Sequence, residues 1–436
     1  MQANKLWDVL FSTKHIKEHF EEKVSTKTSV GLDKVTVKKF KAEIEKNVEV
    51  ICRKVRTGTY TFTRYKQLLF LKGPKKLPRA VCVPTIRDKL TLSVLNELIA
   101  RVYGEKCKTR LPQLIINEIS NERSYFDSFI KLDIKSFYSS IDQEKLMNIL
   151  RYKIRKKEIL HLIENAIQTE SLSYPVKEVV KKSKRNLGVP EGLSISNALA
   201  NIYLSKLDEK YQMINNIRYW RYVDDILIFT NQNDLEIIES MIENDIIKLG
   251  LSFNEKKAKG CINDGFEYLG YKLTSSNISV RKSSILKFEQ SIEDLIRAAN
   301  GRNIGYITWK LNNKITGFVL NDNKYGWMFF YSQINDMRLL FHLDNLVFSL
   351  LKRYKLDNKI KCKRFVRTYY EITKALHITK YIPNYDNYKI QDKRDILEQI
   401  YDSRVRTWAD SEVEHRFQLV MSREIRDIER DIEHFS

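Results

Sequence analysis

The chain has 436 residues, a formal net charge of +21 and 43% hydrophobic residues. That is enough for two or three structural units around a sizeable core, and the charge points to a polyanionic partner, nucleic acid ahead of an anionic membrane surface. No apolar run is long enough to span a bilayer, and no signal peptide or lipidation box is read, so a membrane-embedded class is excluded. The five cysteines, Cys52, Cys82, Cys107, Cys261 and Cys362, are scattered without zinc-knuckle spacing. A reduced, cytoplasmic protein without a disulfide framework is expected.

In chain order, Leu6 to Glu22 reads as a helix. His15-Ile-Lys-Glu18-His19 matches the H-x-x-E-H pattern of one zinc peptidase class, but a short pattern on a polar helix arises easily by chance, and a solvated helix face is the expectation. Gly31 punctuates a turn, Asp33 begins the next element, and a helix runs to about Arg56. Tyr60 to Pro84 alternates strand-like runs around a basic turn at Gly73-Pro74, with Lys72, Lys75, Lys76 and Arg79 clustered there. A basic hairpin is suited to clamp phosphate, and a solvated loop is the plainer alternative. A helix follows from Ile86 to about Tyr103, and residues 106–126 are barely legible.

Phe129 to Asp133 alternates as a strand that ends on a carboxylate. Leu146 to Thr169 is helical, and a basic loop, Lys181-Lys-Ser-Lys-Arg185, precedes Gly188-Val-Pro-Glu-Gly192-Leu-Ser-Ile-Ser196 and a helix. Tyr219 to Val223 and Ile226 to Phe229 read as two strands with Asp224-Asp225 at the tight turn. Two like charges side by side are costly unless a cation offsets them, and Mg²⁺ is a hard ion suited to carboxylate and phosphate oxygens. Asn233 to Leu249 is an amphipathic helix, followed by Gly250-Leu-Ser-Phe-Asn-Glu-Lys-Lys257 and Phe266-Glu-Tyr-Leu269-Gly270-Tyr-Lys-Leu273. The remainder is mostly helical, and Ile425, Ile428, Ile432 and Phe435 recur at helical spacing, so the last helix docks on something.

Tyr222-Val-Asp224-Asp225, taken with its flanks, resembles the Tyr-x-Asp-Asp box of reverse transcriptases, and Asp133 matches the family's first carboxylate. The segment from Gly31 resembles the N-terminal extension of group II intron enzymes, and Trp309 to Phe318 with Tyr325 to Tyr331 resembles their thumb. Gly188 to Ser196 resembles the box that cradles template and nascent pair, in a form closer to bacterial defence-associated enzymes than to viral ones, with Glu191 where the family has an amide. The resemblance implies an α+β right-hand polymerase. Residues 1–59 would be an N-terminal extension, 60–128 fingers, 129–273 a palm with an antiparallel sheet, 274–350 a helical thumb and 351–436 a helical C-terminal region.

By the same resemblance Asp133, Asp224 and Asp225 hold two Mg²⁺ ions, with the Ile134 backbone carbonyl as a further ligand. Two-metal phosphoryl transfer needs carboxylates from different strands holding ions about 3.5–4 Å apart. Lys72 and Arg79 would contact the incoming triphosphate. Tyr138 would be the ribose gate that favours dNTPs, with Phe137 the alternative. Gly188, Pro190, Gly192, Ser196, Tyr222, Leu269 and Gly270 would line template and primer. Lys257 reads equally as proton donor to pyrophosphate or as a surface lysine.

The function expected is RNA-directed DNA synthesis. A dedicated structured noncoding RNA would be copied into cDNA in antiphage defence, with a host or phage protein partner left open. A group II intron or retron-type mobile-element enzyme is the alternative. Untemplated DNA synthesis and a catalytically idle RNA-binding scaffold are further ones.

Overall fold

The computed structural model describes residues 3–25, 29–70, 78–173, 186–255, 257–299 and 303–432. Lys72 and the rest of the basic turn from Gly73 to Lys76, the Lys181 to Arg185 loop and Phe435 lie outside the described residues. The chain forms two units: Met1–Arg110 with Ser128–Lys259, and Leu111–Asp127 with Gly260–Ser436.

The first unit begins with two helices where the sequence predicts one. Ala3–Leu10 ends before Phe11, and Ser12 caps the next helix, Thr13–His19, its hydroxyl accepting from the His15 N–H at 3.3 Å. A serine side chain that satisfies a helix-start amide competes with helix continuation, which explains the break. Helix Ile44–Arg56 buries Val48, Ile51, Cys52 and Val55. Helix Ile86–Tyr103 runs through the interior with Leu90, Leu92, Leu95, Leu98 and Ile99 fully buried. Its start is fixed by Thr85, whose hydroxyl accepts from the Asp88 N–H at 3.2 Å and donates to the Asp88 carboxylate at 2.8 Å.

The strands of this unit are β1 (Tyr65–Phe70), β2 (Arg79–Val83), β3 (Ser128–Asp133), β4 (Ser171–Leu172), β5 (Arg218–Tyr222) and β6 (Asp225–Thr230). β1 pairs antiparallel with β2 and parallel with β4. β5, β6 and β3 lie side by side, antiparallel throughout. Ile130, Leu132, Ile226 and Ile228 lie on one face of this sheet and share a core with helix Ser196–Gln212, which packs on β5, and helix Leu235–Lys248, which packs on β3, while Leu227 and Phe229 are buried on the other face. One apolar core extends from Ala3 to Leu251. β7 (Ala258–Cys261) straddles the boundary between the units.

The second unit holds helix Pro112–Glu122 and a sheet of β8 (Phe266–Tyr268), β9 (Tyr271–Leu273) and β10 (Ile278–Val280). Leu269 and Gly270 make the β8–β9 turn with φ of 47° and 80°. Both values are positive, as a two-residue hairpin turn that matches strand twist requires. Helices Lys282–Arg297, Ile304–Thr316, Met337–Arg353, Phe365–Lys374, Ile390–Tyr401 and Asp410–Ile432 follow, interrupted by the hairpin of β11 (Phe318–Leu320) and β12 (Asn323–Tyr325). The aromatic run from Tyr325 packs inward, Trp327 stacking on Phe288 at 4.5 Å. The last helix docks through Val413, Phe417, Met421 and Ile428, with Ile425 packed beside them. Among the described residues no helix is long and apolar enough to cross a membrane.

Candidate active site

The register of three strands builds the site. β3 runs against β6 with Ser128 opposite Thr230 and Asp133 opposite Asp225. β5 runs against the other edge of β6 with Tyr222 opposite Asp225. The turn residues are therefore Val223 and Asp224, and Asp225 is the first residue of β6. This corrects the sequence expectation, which puts Asp224 and Asp225 together in the turn, by one position. The cause is that Asp225 pairs on both sides, and a paired residue belongs to the ladder.

Val223 has φ of 56°, a left-handed conformation that a β-branched side chain adopts at a cost of about 1–2 kcal/mol. Arg221 holds the turn in that state. Its guanidinium donates to the Val223 carbonyl at 2.8 Å and grips Asp208 with two bonds of 2.8 and 2.6 Å, while the Asn201 side chain accepts from it at 3.1 Å. Asp208 lies on helix Ser196–Gln212 and also accepts from the Tyr219 hydroxyl at 2.9 Å. The sequence reading missed Arg221 and Asp208. The available signal was an arginine set between Trp220 and Tyr222, inside the aromatic stretch Tyr219 to Tyr222.

Asp133 is held from its other side by the segment after Leu251. The Asn254 amide side chain donates to the Asp133 carboxylate at 2.5 Å, and the Asn254 backbone N–H donates to the Asp133 carbonyl at 2.8 Å. Ile134 donates its N–H to the Asp224 carbonyl at 3.1 Å and bridges to Phe253, which fixes its peptide beside the carboxylates. Asp133, Asp224 and Asp225 are all half-buried. Their negative field marks the neighbours. The Tyr222 hydroxyl is pushed up by burial and then by the charges of Asp224 and Asp225. Tyr138 is pushed up to about 12 by burial, then by Asp224 and Glu191, with Arg79 partly opposing. Three oxygen-donor side chains in a concentrated negative field fit a hard divalent cation.

Tyr138 follows the sharp turn at Ser136, where φ is 48°. Its hydroxyl donates to the Asn197 side chain at 2.5 Å, and its carbonyl accepts from the Val189 N–H at 2.7 Å. Phe137 is 2% exposed and belongs to the core, its ring 5.6 Å from that of Tyr138. Of the two gate candidates, Tyr138 is the one that feels Asp224.

The loop from Gly188 to Ser196 is stitched to its surroundings. Gly188 donates to the Ile141 carbonyl at 2.7 Å, its carbonyl accepts from the Gln143 side chain at 2.7 Å, and the Ser196 hydroxyl donates to the Pro190 carbonyl at 2.5 Å. At Gly192, where φ is 92°, a Cβ would lie 2.5 Å from a Val81 methyl and 2.8 Å from the Cys82 carbonyl, so the close approach to β2 requires glycine. Glu191 is part of this contact. Its carbonyl accepts from the Cys82 N–H at 2.7 Å, and its carboxylate accepts from Arg79 Nε at 2.6 Å. The acidic departure from the family pattern thus has a partner in Arg79.

Lys257 pairs with Glu243 and, at 3.7 Å, with Glu239, both on helix Leu235–Lys248. Lys72 lies outside the described residues, and Leu269 and Gly270 belong to the second unit.

A strand-borne carboxylate beside an Asp-Asp hairpin, within an antiparallel sheet backed by helices, defines a polymerase palm of the right-hand class. Residues 71–273 match the family model described as "Reverse transcriptase (RNA-dependent DNA polymerase)", so the chain carries a reverse transcriptase domain. It is 26% identical over 178 residues to the group II intron-encoded protein LtrA of Lactococcus lactis subsp. cremoris, covering 38% of this chain and 28% of that one. It is 25% identical over 217 residues to the retron Ec73 reverse transcriptase of Escherichia coli, covering 47% and 64%. The chain thus spans under a third of the intron protein's length. Among solved structures, telomerase from Candida albicans in complex with a fragment of telomeric RNA aligns over 89% of this chain and 66% of its own, at 12% identity and a TM-score of 0.43.

Proposed function

We propose that this chain is an RNA-directed DNA polymerase that uses two Mg²⁺ ions and dNTPs. The observation that carries the reading is the register that sets Asp133 beside Asp225 with Asp224 in the adjoining turn. Asp133, Asp224 and Asp225 hold the ions, with the Ile134 carbonyl as an added ligand. When bound, such a metal pair activates the primer 3′-hydroxyl and stabilises the leaving phosphate oxygens. Arg79, with Lys72, receives the triphosphate, and to do so exchanges Glu191 for phosphate oxygens. The Tyr138 ring occupies the space a 2′-hydroxyl needs. The loop bearing Gly188, Pro190, Gly192 and Ser196 shapes the template side together with Tyr222, and the Leu269–Gly270 turn serves the primer.

The template we assign is a dedicated, structured noncoding RNA encoded beside the gene, copied into cDNA in bacterial antiphage defence. The charge of +21 supports a polyanion larger than a nucleotide. A second reading, a mobile-element enzyme, is favoured by the similarity to a group II intron protein and a retron enzyme. The test is to purify the protein from its host, with and without phage infection, and to sequence the RNA and DNA it carries. One discrete RNA with matching cDNA, lost in an Asp224→Ala/Asp225→Ala variant, is expected. That RNA being an intron or retron transcript would select the second reading. DNA that no RNA templates would mean untemplated synthesis, and bound RNA without any cDNA would mean a scaffold.

A further inference from the structure

The sequence pattern His15-x-x-Glu18-His19 lies on helix Thr13–His19, and the structure does not leave it as a solvated face. His19 is 7% exposed. Histidines four apart share one face of a helix, and here their ring centroids are 5.8 Å apart. Both face Glu97 on helix Ile86–Tyr103. His15 Nε2 is 3.0 Å and His19 Nδ1 is 3.1 Å from the same Glu97 oxygen, Oε2. One ligand atom from each of the three residues lies within 4.8 Å of the others.

Two imidazoles and a carboxylate are the donor set of Zn²⁺ and its borderline neighbours, whereas Mg²⁺ takes oxygen ligands. Tetrahedral coordination with bonds of about 2.0 Å places neighbouring ligand atoms about 3.3 Å apart. The two observed separations fall a few tenths of an ångström short of that, so ring rotation suffices to admit an ion. Two of the three ligands carry the outer partners that orient metal-binding side chains. His19 Nε2 is hydrogen-bonded to the Ser93 hydroxyl at 2.7 Å, and Glu97 Oε1 accepts from Arg101. With Nε2 bonded to the Ser93 hydroxyl, His19 presents Nδ1 to the Glu97 oxygen. The His15 and Glu97 side chains are each 23% exposed, which leaves an entry path and room for a water as fourth ligand. Glu18 is exposed and outside the trio, so the hydrolytic role of the matching peptidase pattern is not reproduced.

We propose that His15, His19 and Glu97 form a binding site for a Zn²⁺-class transition-metal ion that clamps the N-terminal helix onto helix Ile86–Tyr103. The test uses the full chain, purified without chelator or histidine tag, with metal content measured after equilibration with ZnCl₂ and removal of excess. Cobalt substitution then reports ligand geometry by visible absorption. About one equivalent of zinc is expected, together with a Tm that rises on ZnCl₂ addition and saturates at that stoichiometry. His15→Ala and Glu97→Gln should each weaken zinc binding more than about 100-fold, beyond what loss of an outer partner costs, and Ser93→Ala by about tenfold. The Asp224→Ala/Asp225→Ala variant should retain the zinc, which separates this site from the palm. Should either ligand variant fail to fold, Ser93→Ala and the Tm titration of the unaltered chain decide the matter. Zinc content well below one equivalent with no shift in Tm, or zinc retained equally by His15→Ala, would overturn the proposal and leave a hydrogen-bonded trio.

Discussion

The carboxylate wall of the candidate active site is a sheet end paired along two ladders, whereas the arginine wall is the exposed start of β2, where Arg79 is ion-paired with Glu191. Asp133 and Asp225 face each other in a ladder whose neighbours Ile130, Leu132, Ile226 and Ile228 are fully buried. Arg221, itself held by Asp208 and Asn201, donates to the turn at the Val223 carbonyl, and Asn254 donates to Asp133. In the β1–β2 hairpin, Leu69 and Phe70 at the end of β1 are 57% and 54% exposed, and Arg79 opposite Phe70 is held by Glu191. Groups that hold ions need placement within about 0.5 Å, which buried backbone supplies. Groups that meet a substrate which must arrive and leave need a contact that can be exchanged. The two walls differ as the tasks proposed for them differ.

The largest way to break the comparison is to remove the carboxylates. Asp224→Ala with Asp225→Ala should abolish dNTP incorporation while thermal unfolding and RNA affinity stay near those of the unaltered protein, because the pair sits half-buried at a sheet end rather than in the core. Retention of more than trace polymerisation would sink the polymerase reading.

The arginine wall should respond in kinetics and not in stability. Arg79→Ala should lower kcat/KM for dNTP by about 2–4 kcal/mol of transition-state binding, the worth of a charge-assisted phosphate contact. Glu191→Gln should act in the opposite direction on KM, by a few-fold at most, since a partly exposed ion pair is worth about 0–1 kcal/mol. Steady-state kinetics on both variants checks this. Equal losses in both would mean that Glu191 orients Arg79 for the triphosphate instead of competing with it.

Arg221→Ala should cost both stability and rate. Its side chain is 8% exposed and its partner Asp208 19%, so breaking the pair should cost about 3 kcal/mol in denaturant unfolding. Freeing the Val223 carbonyl should also lower kcat with little change in KM. A stable variant with full activity would show that the turn holds itself. Between the walls, Tyr138→Ala should reduce the preference for dNTP over rNTP by roughly 100-fold, about the discrimination a single added hydroxyl produces. If the preference collapses with a Phe137 substitution and not with Tyr138→Ala, the core ring is the gate.

How far the sequence alone reached follows from the kind of interaction involved. The carboxylates were legible because a strand ending on Asp133 and a hairpin bearing Asp224 and Asp225 are local patterns, and adjacent like charges point to a cation that offsets them. The exact turn residues were not, since pairing across two ladders decides whether Asp225 is strand or turn. Arg221–Asp208, Arg79–Glu191 and Asn254–Asp133 join positions distant in the chain, and one sequence carries no record of such partners. The His15 and His19 face read as solvated because Glu97 and Ser93, which cover it, lie on a helix far along the chain. The helix break at Ser12 was a missed local signal, a serine cap inside an apolar pattern.

The smallest effect tests the strain in the turn itself. Val223 keeps a left-handed φ in a position where glycine would be relaxed. Val223→Gly removes that strain, worth about 1–2 kcal/mol, but it also gives the unfolded chain more freedom and takes away a side chain packed against the core. These terms oppose each other, so unfolding free energy should change by less than about 1 kcal/mol. The rate should nevertheless fall several-fold, because a glycine at the first turn position widens the range of backbone angles that Asp224 samples. Denaturant unfolding and single-turnover incorporation, measured on the same preparation, separate the two outcomes. Loss of stability with an unchanged rate per folded molecule would mean that Val223 serves packing alone, and that the bond from Arg221 to its carbonyl suffices to set Asp224.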